Sequence, residues 1–76
     1  MRNPFDDPQR GDILRLADYG RERHVTSRET SSHDDIVRYK IVTRFKEGET
    51  RHCSVKAWQR WCAHHQPVIQ DFALEW

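Results

Sequence analysis

One segment in the middle of the chain alternates between two kinds of side chain, and this pattern limits the possible folds most. Apolar or β-branched residues occupy every second position: Val37, Tyr39, Ile41, Thr43 and Phe45. Arg38, Lys40 and Arg44 lie between them. A period of two with β-branched residues predicts a half-buried strand over 36–45. Residues 46–49, which include Gly48, then predict a hairpin turn, with residues 50–53 pairing back antiparallel.

The period changes after this hairpin. Ser54 is a favoured N-cap residue, and the core-facing positions that follow are spaced by three and four: Val55, Trp58, Trp61, Cys62 and His65. This spacing predicts a short amphipathic helix that turns Lys56 and Arg60 outward and ends before Pro67. We expect Trp58 and Trp61 to pack against the inward face of the long strand, because each large ring buries roughly 150–250 Å².

Two shorter strands are predicted before the hairpin, over 13–17 and 23–28, with turn residues between them. Residues 1–11, which contain Pro4, Pro8 and Gly11, are interpreted as an extended lead-in. Residues 12–76 then form one small domain. Residues 68–76 fit either a strand or a helix that begins at Pro67. We expect a strand, because a barrel needs a closing strand.

The predicted fold is therefore mainly β (α+β), a small antiparallel barrel of about five strands with one short helix after the fourth. The chain has 76 residues, 36% hydrophobic and 33% charged, which is room for one domain with a lean core. No apolar run is long enough for a membrane span or a signal peptide. Two cysteines are too few for a disulfide framework. We therefore expect a cytoplasmic protein.

The cysteines and histidines are the first candidates for chemistry: His52, Cys53, Cys62, His64 and His65. Zinc ligands usually come in close pairs, whereas here the two cysteines lie far apart and the last two histidines are adjacent. Buried, unreactive thiols are the simpler interpretation. The adjacent carboxylates Asp6–Asp7 and Asp34–Asp35 fit solvated loops, and no phosphate-binding, dinucleotide or zinc-protease motif is present. We predict no catalytic residue, no metal and no cofactor.

The charge is uneven along the chain, although the formal net charge is only +1. Residues 36–65 carry an excess of cations, and six of them form the candidate nucleic-acid-binding set: Arg38, Lys40, Arg44, Arg51, Lys56 and Arg60. Cations on one surface bind phosphates by releasing counterions. The alternative is a solvated outer sheet face whose cations protect a strand edge.

A protein-interaction or inhibitor module is the competing hypothesis. It depends on the apolar tail residues Phe72, Leu74 and Trp76, which would supply the contact surface. The same tail could join two copies of the chain, since small domains gain from added burial. We favour a monomer, because a dimer must overcome the entropy of association.

Four segments of the chain resemble small uncharacterised proteins encoded by phages and prophages. They are G-D-I-L-R at 11–15, Val25, I-V-R-Y at 36–39 and the pattern C-S-x3-W-x2-W at 53–61. The similarity covers residues 11–70, and those proteins resemble SH3-like barrels. The resemblance implies short strands, a helical turn after the fourth strand and a last strand that closes the sheet. SH3-like barrels bind nucleic acids, peptides and proteins alike, so the resemblance does not select a function. For the protein-interaction or inhibitor hypothesis, it implies a host or phage protein as the partner.

Overall fold

The structure is a computed structural model that describes residues 3–16, 20–31 and 33–71, with only the backbone of Glu47 and Asp71. Its elements are β1 (Ile13–Arg15), β2 (Glu22–Thr30), β3 (Asp35–Val42), β4 (Glu47–Ser54), α1 (Val55–His65) and β5 (Val68–Asp71). In the described residues, five strands form one antiparallel sheet in the order β4-β3-β2-β1-β5. The mainly β fold with one helix after the fourth strand is therefore confirmed.

The sheet is open between its two outer strands in the part of the chain that is described. β4 pairs with β3, and β5 pairs with β1, so these two strands are the ends of the order and do not pair with each other. Closure into a barrel is therefore not seen. The strand interpretation of the tail is confirmed for Val68–Asp71. The predicted interaction residues Phe72, Leu74 and Trp76 lie outside the described residues.

The hairpin between β3 and β4 is confirmed, but its turn comes earlier than predicted. β3 ends at Val42, and the Thr43 backbone N–H donates to the carbonyl oxygen of Lys46 at 3.0 Å. Arg44 and Phe45 therefore lie in the turn instead of continuing the alternation, and Phe45 is 89% exposed. The prediction that Phe45 faces the core is wrong, because the Thr43–Lys46 contact closes the turn before Phe45 can return to the strand.

Gly48 lies in β4 and not in the turn that the sequence predicted for it, and its φ is not positive. A Cβ atom at this position would lie only 2.6 Å from the carbonyl oxygen of Ile41. The pairing of β3 with β4 also shifts register between Lys40 and Val42. Glycine is therefore required here because the two backbones approach each other closely.

Helix α1 begins and ends as the sequence predicts. The Ser54 hydroxyl oxygen accepts a hydrogen bond from the Ala57 N–H at 3.1 Å. Gln66 adopts a φ of 48° and donates its N–H to the Cys62 carbonyl oxygen at 2.8 Å, which ends the helix before Pro67. Lys56 and Arg60 are exposed, as predicted. His65 is also exposed, so its assignment to the core-facing side is wrong: it lies in the last turn, next to the helix end.

The core lies between the helix and the inner face of the sheet. Its buried residues come from three strands and the helix: Leu14, Val25, Val37, Tyr39, Trp58 and Cys62. Trp58 is fully buried, and its ring lies 5.4 Å from that of Tyr39 in an edge-to-face arrangement. Ile41 and Trp61 are partly buried against this cluster. The predicted packing of Trp58 against the long strand is therefore confirmed.

Residues 3–11 fold back onto this core and are not an extended lead-in. The Asp7 N–H donates to the carbonyl oxygen of Asn3 at 2.8 Å, which makes a turn, and Pro4 and Pro8 are buried. The Pro4 carbonyl oxygen accepts the indole N–H of Trp58 at 3.0 Å. A buried indole needs a hydrogen-bond acceptor, and the first residues supply it.

Candidate functional site

The cations that the sequence places on one surface are divided between the two faces of the sheet. Residues directly opposite each other in an antiparallel pair share a face. Arg38 lies opposite His52 and Lys40 lies opposite Thr50. Arg51 instead lies opposite the buried Tyr39, on the side that carries the core. Arg38 and Lys40 therefore belong to the outer face, and Arg51 belongs to the inner one.

The outer face balances its positive charge with carboxylates. Arg38 forms an ion pair with Glu29 of the neighbouring strand β2. His24, which lies opposite Lys40, has its ring nitrogen 2.9 Å from a carboxylate oxygen of Glu22. Lys40 has an interaction partner as well. This arrangement is typical of a solvated sheet face, which is the alternative that the sequence left open.

The three remaining cations of the predicted set do not join the pair on the outer face. Arg44 is exposed in the turn between β3 and β4, because β3 ends at Val42. Lys56 and Arg60 are exposed on α1. The structure therefore does not bring the six predicted residues together on a single surface.

A residue that the sequence analysis did not single out, Arg23 of β2, occupies the most unusual environment. It lies opposite Leu14 on one side and Ile41 on the other, so its side chain belongs to the inner face. The central carbon of its guanidinium, Cζ, is 3.7 Å from the centre of the Trp61 ring and 4.4 Å from that of Tyr39. A cation within about 6 Å of an aromatic ring is attracted by the ring's negative face. Arg23 is thus held by rings from both the sheet and the helix.

Arg23 has no acidic partner among the described residues. None of the ion pairs in residues 3–16, 20–31 and 33–71 includes it, and no side chain there accepts a hydrogen bond from its guanidinium. Burial among the rings lowers its pKa from the usual value for arginine. No fully buried side-chain nitrogen of the described residues lacks a hydrogen-bond partner. Since the guanidinium nitrogens of Arg23 have no such partner, they are not fully buried and must reach solvent.

Two neighbouring depressions share Arg21 and Ile41 in their walls, and Arg23 lines the first of them. The first, of about 180 Å³, lies between β2 and α1 and is lined by Leu16, Arg21, Glu22, Arg23, Ile41, Trp61 and His65. The second, of about 380 Å³, extends toward β4 and is lined by Arg21, Ile41, Thr43, Lys46, Gly48, Glu49 and Arg51. Because they share these two walls, we consider them together and call their combined lining the basic groove. Lys or Arg side chains outnumber carboxylates on its walls.

The second strand carries a sequence signal for this groove. Arg23 and Val25 are alternate residues of the second strand, so an arginine stands at a core-facing position. A guanidinium there needs either a carboxylate or an aromatic face as its partner. The two tryptophans of the helix supply aromatic faces, but their position over β2 depends on the tertiary fold.

Of the thiols that the sequence raised as candidates, Cys62 is buried in the core and Cys53 is half-buried against it. Burial raises the pKa of the Cys62 thiol to about 12, and it also raises the pKa of Cys53, although nearby Arg23 opposes both shifts. A protonated thiol is a poor nucleophile and a poor metal ligand. His52, His64 and His65 are exposed. Within residues 3–16, 20–31 and 33–71, no three His, Cys, Asp or Glu side chains are grouped closely enough to hold a metal ion.

No protein-family model, curated protein or solved structure matches the chain. The one helix among the described residues is too short and too polar to cross a membrane.

Proposed function

We propose that this domain is a non-enzymatic module that binds nucleic acid through the basic groove. The observation that carries the proposal is Arg23, a guanidinium stacked on Trp61 and Tyr39 with solvent-accessible donors and no acidic partner among the described residues. Arginine suits this task because its planar donors match the oxygens of a phosphate and its faces stack on aromatic rings.

The neighbours of Arg23 extend the positive surface along the groove. Arg21, Lys46 and Arg51 line it, and all three are exposed. Each cation that neutralises a phosphate releases bound counterions, so affinity adds up along such a surface and falls as salt rises. The outer face is a weaker candidate, because Arg38 is already paired with Glu29.

We also propose that the fold is an incompletely closed SH3-like barrel. Two features support this assignment: the helix lies between the fourth and fifth strands, and the fifth strand returns to pair with the first. A shift of register in β2, between Val25 and Ser27, is a place where such a sheet can bend. The origin in a phage or prophage, which the resemblance implies, stays a prediction.

The test compares two double variants that remove the same charge from different faces. Arg21→Ala/Arg51→Ala takes two exposed cations from the groove, and Arg38→Ala/Lys40→Ala takes two from the outer face. Binding to labelled mixed-sequence DNA and RNA is measured by fluorescence anisotropy between about 50 and 200 mM salt. We expect the groove variant to weaken binding and to reduce the salt slope by about 1 for each cation removed. The outer-face variant should bind nearly as well as the native protein.

Circular dichroism and thermal unfolding of both variants serve as the control for folding. Absence of binding by the native protein at about 50 mM salt would refute the proposed function, because electrostatic attraction is strongest at low salt. A loss of affinity in the outer-face variant alone would move the contact surface to Arg38 and Lys40.

A further inference from the structure

Besides the rings that hold Arg23, an aromatic side chain, Phe45, lies at the tip of the β3–β4 hairpin, next to the basic groove. Phe45 is 89% exposed, far more than the other exposed large hydrophobic residues of the described chain, Val68 and Ile69. Its sequence neighbours Arg44 and Lys46 are exposed as well. Since Lys46 also lines the groove, the hairpin tip and the groove form one continuous surface.

The tip is held in a defined shape by Thr43. The Thr43 hydroxyl oxygen accepts hydrogen bonds from the backbone N–H groups of Phe45 at 3.4 Å and Lys46 at 3.3 Å. These bonds involve only the backbone of Phe45, so the turn does not need an aromatic side chain at this position. Polar residues are the usual occupants of such turns. The ring of Phe45 is therefore presented to solvent on an ordered support between two cations.

We propose that Phe45 stacks on an unpaired base, so that the domain prefers single-stranded to double-stranded nucleic acid. This inference rests on the proposed function of the groove. In a duplex both faces of each base are covered by neighbouring base pairs, whereas an unpaired base can offer a face to a protruding ring. Arg44 and Lys46 precede and follow Phe45 in the chain and are exposed, so they are the cations available to the phosphates that flank such a base.

An anionic membrane surface would also attract an aromatic residue between two cations. It is the weaker candidate, because stable membrane docking needs a substantial apolar area in addition to positive charge. Phe45 is alone at the tip, and the other exposed apolar residues, Val68 and Ile69, lie on β5 at the opposite end of the strand order. A single ring and a continuous basic groove fit a nucleic-acid strand better.

The experiment uses three labelled probes of equal length: a mixed-sequence single strand, its duplex, and a single strand of abasic deoxyribose phosphates. The variant Phe45→Ala should lower affinity for the normal single strand about tenfold, since stacking on one base has an effect of that order. Affinity for the abasic strand and the duplex should not change. The salt slope should stay the same, because no charge is removed. Phe45→Trp should restore the affinity, and Val68→Ala, an exposed apolar change on β5, should have no effect.

Three outcomes would overturn the inference, and they differ from a failure of the proposed function. If Phe45→Ala leaves single-strand binding unchanged, or weakens binding to all three probes equally, stacking is refuted while the groove proposal stands. If Phe45→Ala weakens binding to phosphatidylserine vesicles but does not change binding to the single strand, the hairpin tip would be a membrane-binding site instead. No binding of the native protein to any nucleic-acid probe at about 50 mM salt would refute the groove proposal itself.

Discussion

The guanidinium carbon of Arg23 lies 3.7 Å from the centre of the Trp61 ring, and this contact joins the sheet to the helix. Arg23 belongs to β2 and Trp61 to α1, so the two side chains meet only in the folded chain. The same guanidinium lies over Tyr39 of β3. One cation therefore contributes to packing across three elements while its donors remain available at the basic groove.

We predict that Arg23→Lys lowers the free energy of unfolding by about 0.5–2 kcal/mol, because an ammonium group cannot stack as a planar guanidinium does. Urea denaturation followed by tryptophan fluorescence measures the change, and the native emission maximum should shift as Trp61 loses its partner. Arg21→Lys is the matched control, since Arg21 is exposed. Equal effects of the two substitutions would show that the stack does not stabilise the fold.

Trp58→Ala should destabilise the protein by about 3–5 kcal/mol, as truncation of a large buried aromatic residue does. Trp58 is fully buried and donates its indole N–H to Pro4. A domain of this size has little stability to lose, so the variant is expected to be largely unfolded at 25 °C. Trp58→Phe keeps most of the ring volume but loses the hydrogen bond, and it should remain folded with a reduced melting temperature. An unchanged melting temperature in Trp58→Ala would contradict the burial of this ring.

Acid should weaken the fold through the ion pair between Arg28 and Asp35. Arg28 donates to both carboxylate oxygens of Asp35, at 2.6 and 2.7 Å, and these hydrogen bonds lower the pKa of Asp35. The folded pKa is therefore below the unfolded one, which is about 3.9. The contribution to stability is fully present above the unfolded pKa and is lost as pH falls through the folded pKa.

The measurement for this prediction is the free energy of unfolding between neutral and acidic pH. In Asp35→Asn the decline in stability below about pH 4 should be smaller than in the native protein. Asp34→Asn is the control, because the exposed Asp34 forms no ion pair with another described residue. Parallel curves for the native protein and Asp35→Asn would show that this pair has no part in acid sensitivity.

Two glycines should respond differently to substitution by alanine. In Gly48→Ala the new Cβ atom would meet the Ile41 carbonyl oxygen at 2.6 Å, so the β3–β4 backbones must separate. We expect a cost of about 1–3 kcal/mol, as in other overpacked sites, with altered amide chemical shifts along both strands. Gly20→Ala meets no atom within 4 Å, but its φ of +63° is strained for alanine. That strain should cost about 1–2 kcal/mol and leave the strand shifts unchanged.

The local elements could be predicted from the sequence because each depends on residues close together in the chain. Alternation identified the strand through Val37 and Tyr39, and spacing of three and four identified the helix that buries Val55, Trp58 and Cys62. Ser54 acts as N-cap through a bond to Ala57, only three residues away. These are local preferences of the backbone and side chains, and they hold whatever the rest of the chain does.

The position of the hairpin turn depends on a local contact, between Thr43 and Lys46, that the alternating pattern of the long strand did not indicate. The sequence offered Gly48 as the turn residue, but Thr43 closes the turn and Gly48 is used where β4 approaches Ile41. The face on which Arg51 lies follows from that register, because a shift of one residue moves every side chain to the other face. The sequence alone could therefore not separate Arg51 from Arg38 and Lys40.

The basic groove, in contrast, was decided by tertiary structure. Its central cation, Arg23, and the ring that holds it, Trp61, come from elements separated by two strands along the chain. The sequence by itself determined that the chain forms strands, a hairpin and an amphipathic helix with an excess of tryptophan. Only the folded chain determined which cation meets those rings, because that depends on where the helix packs across the sheet and on the register of each strand pair.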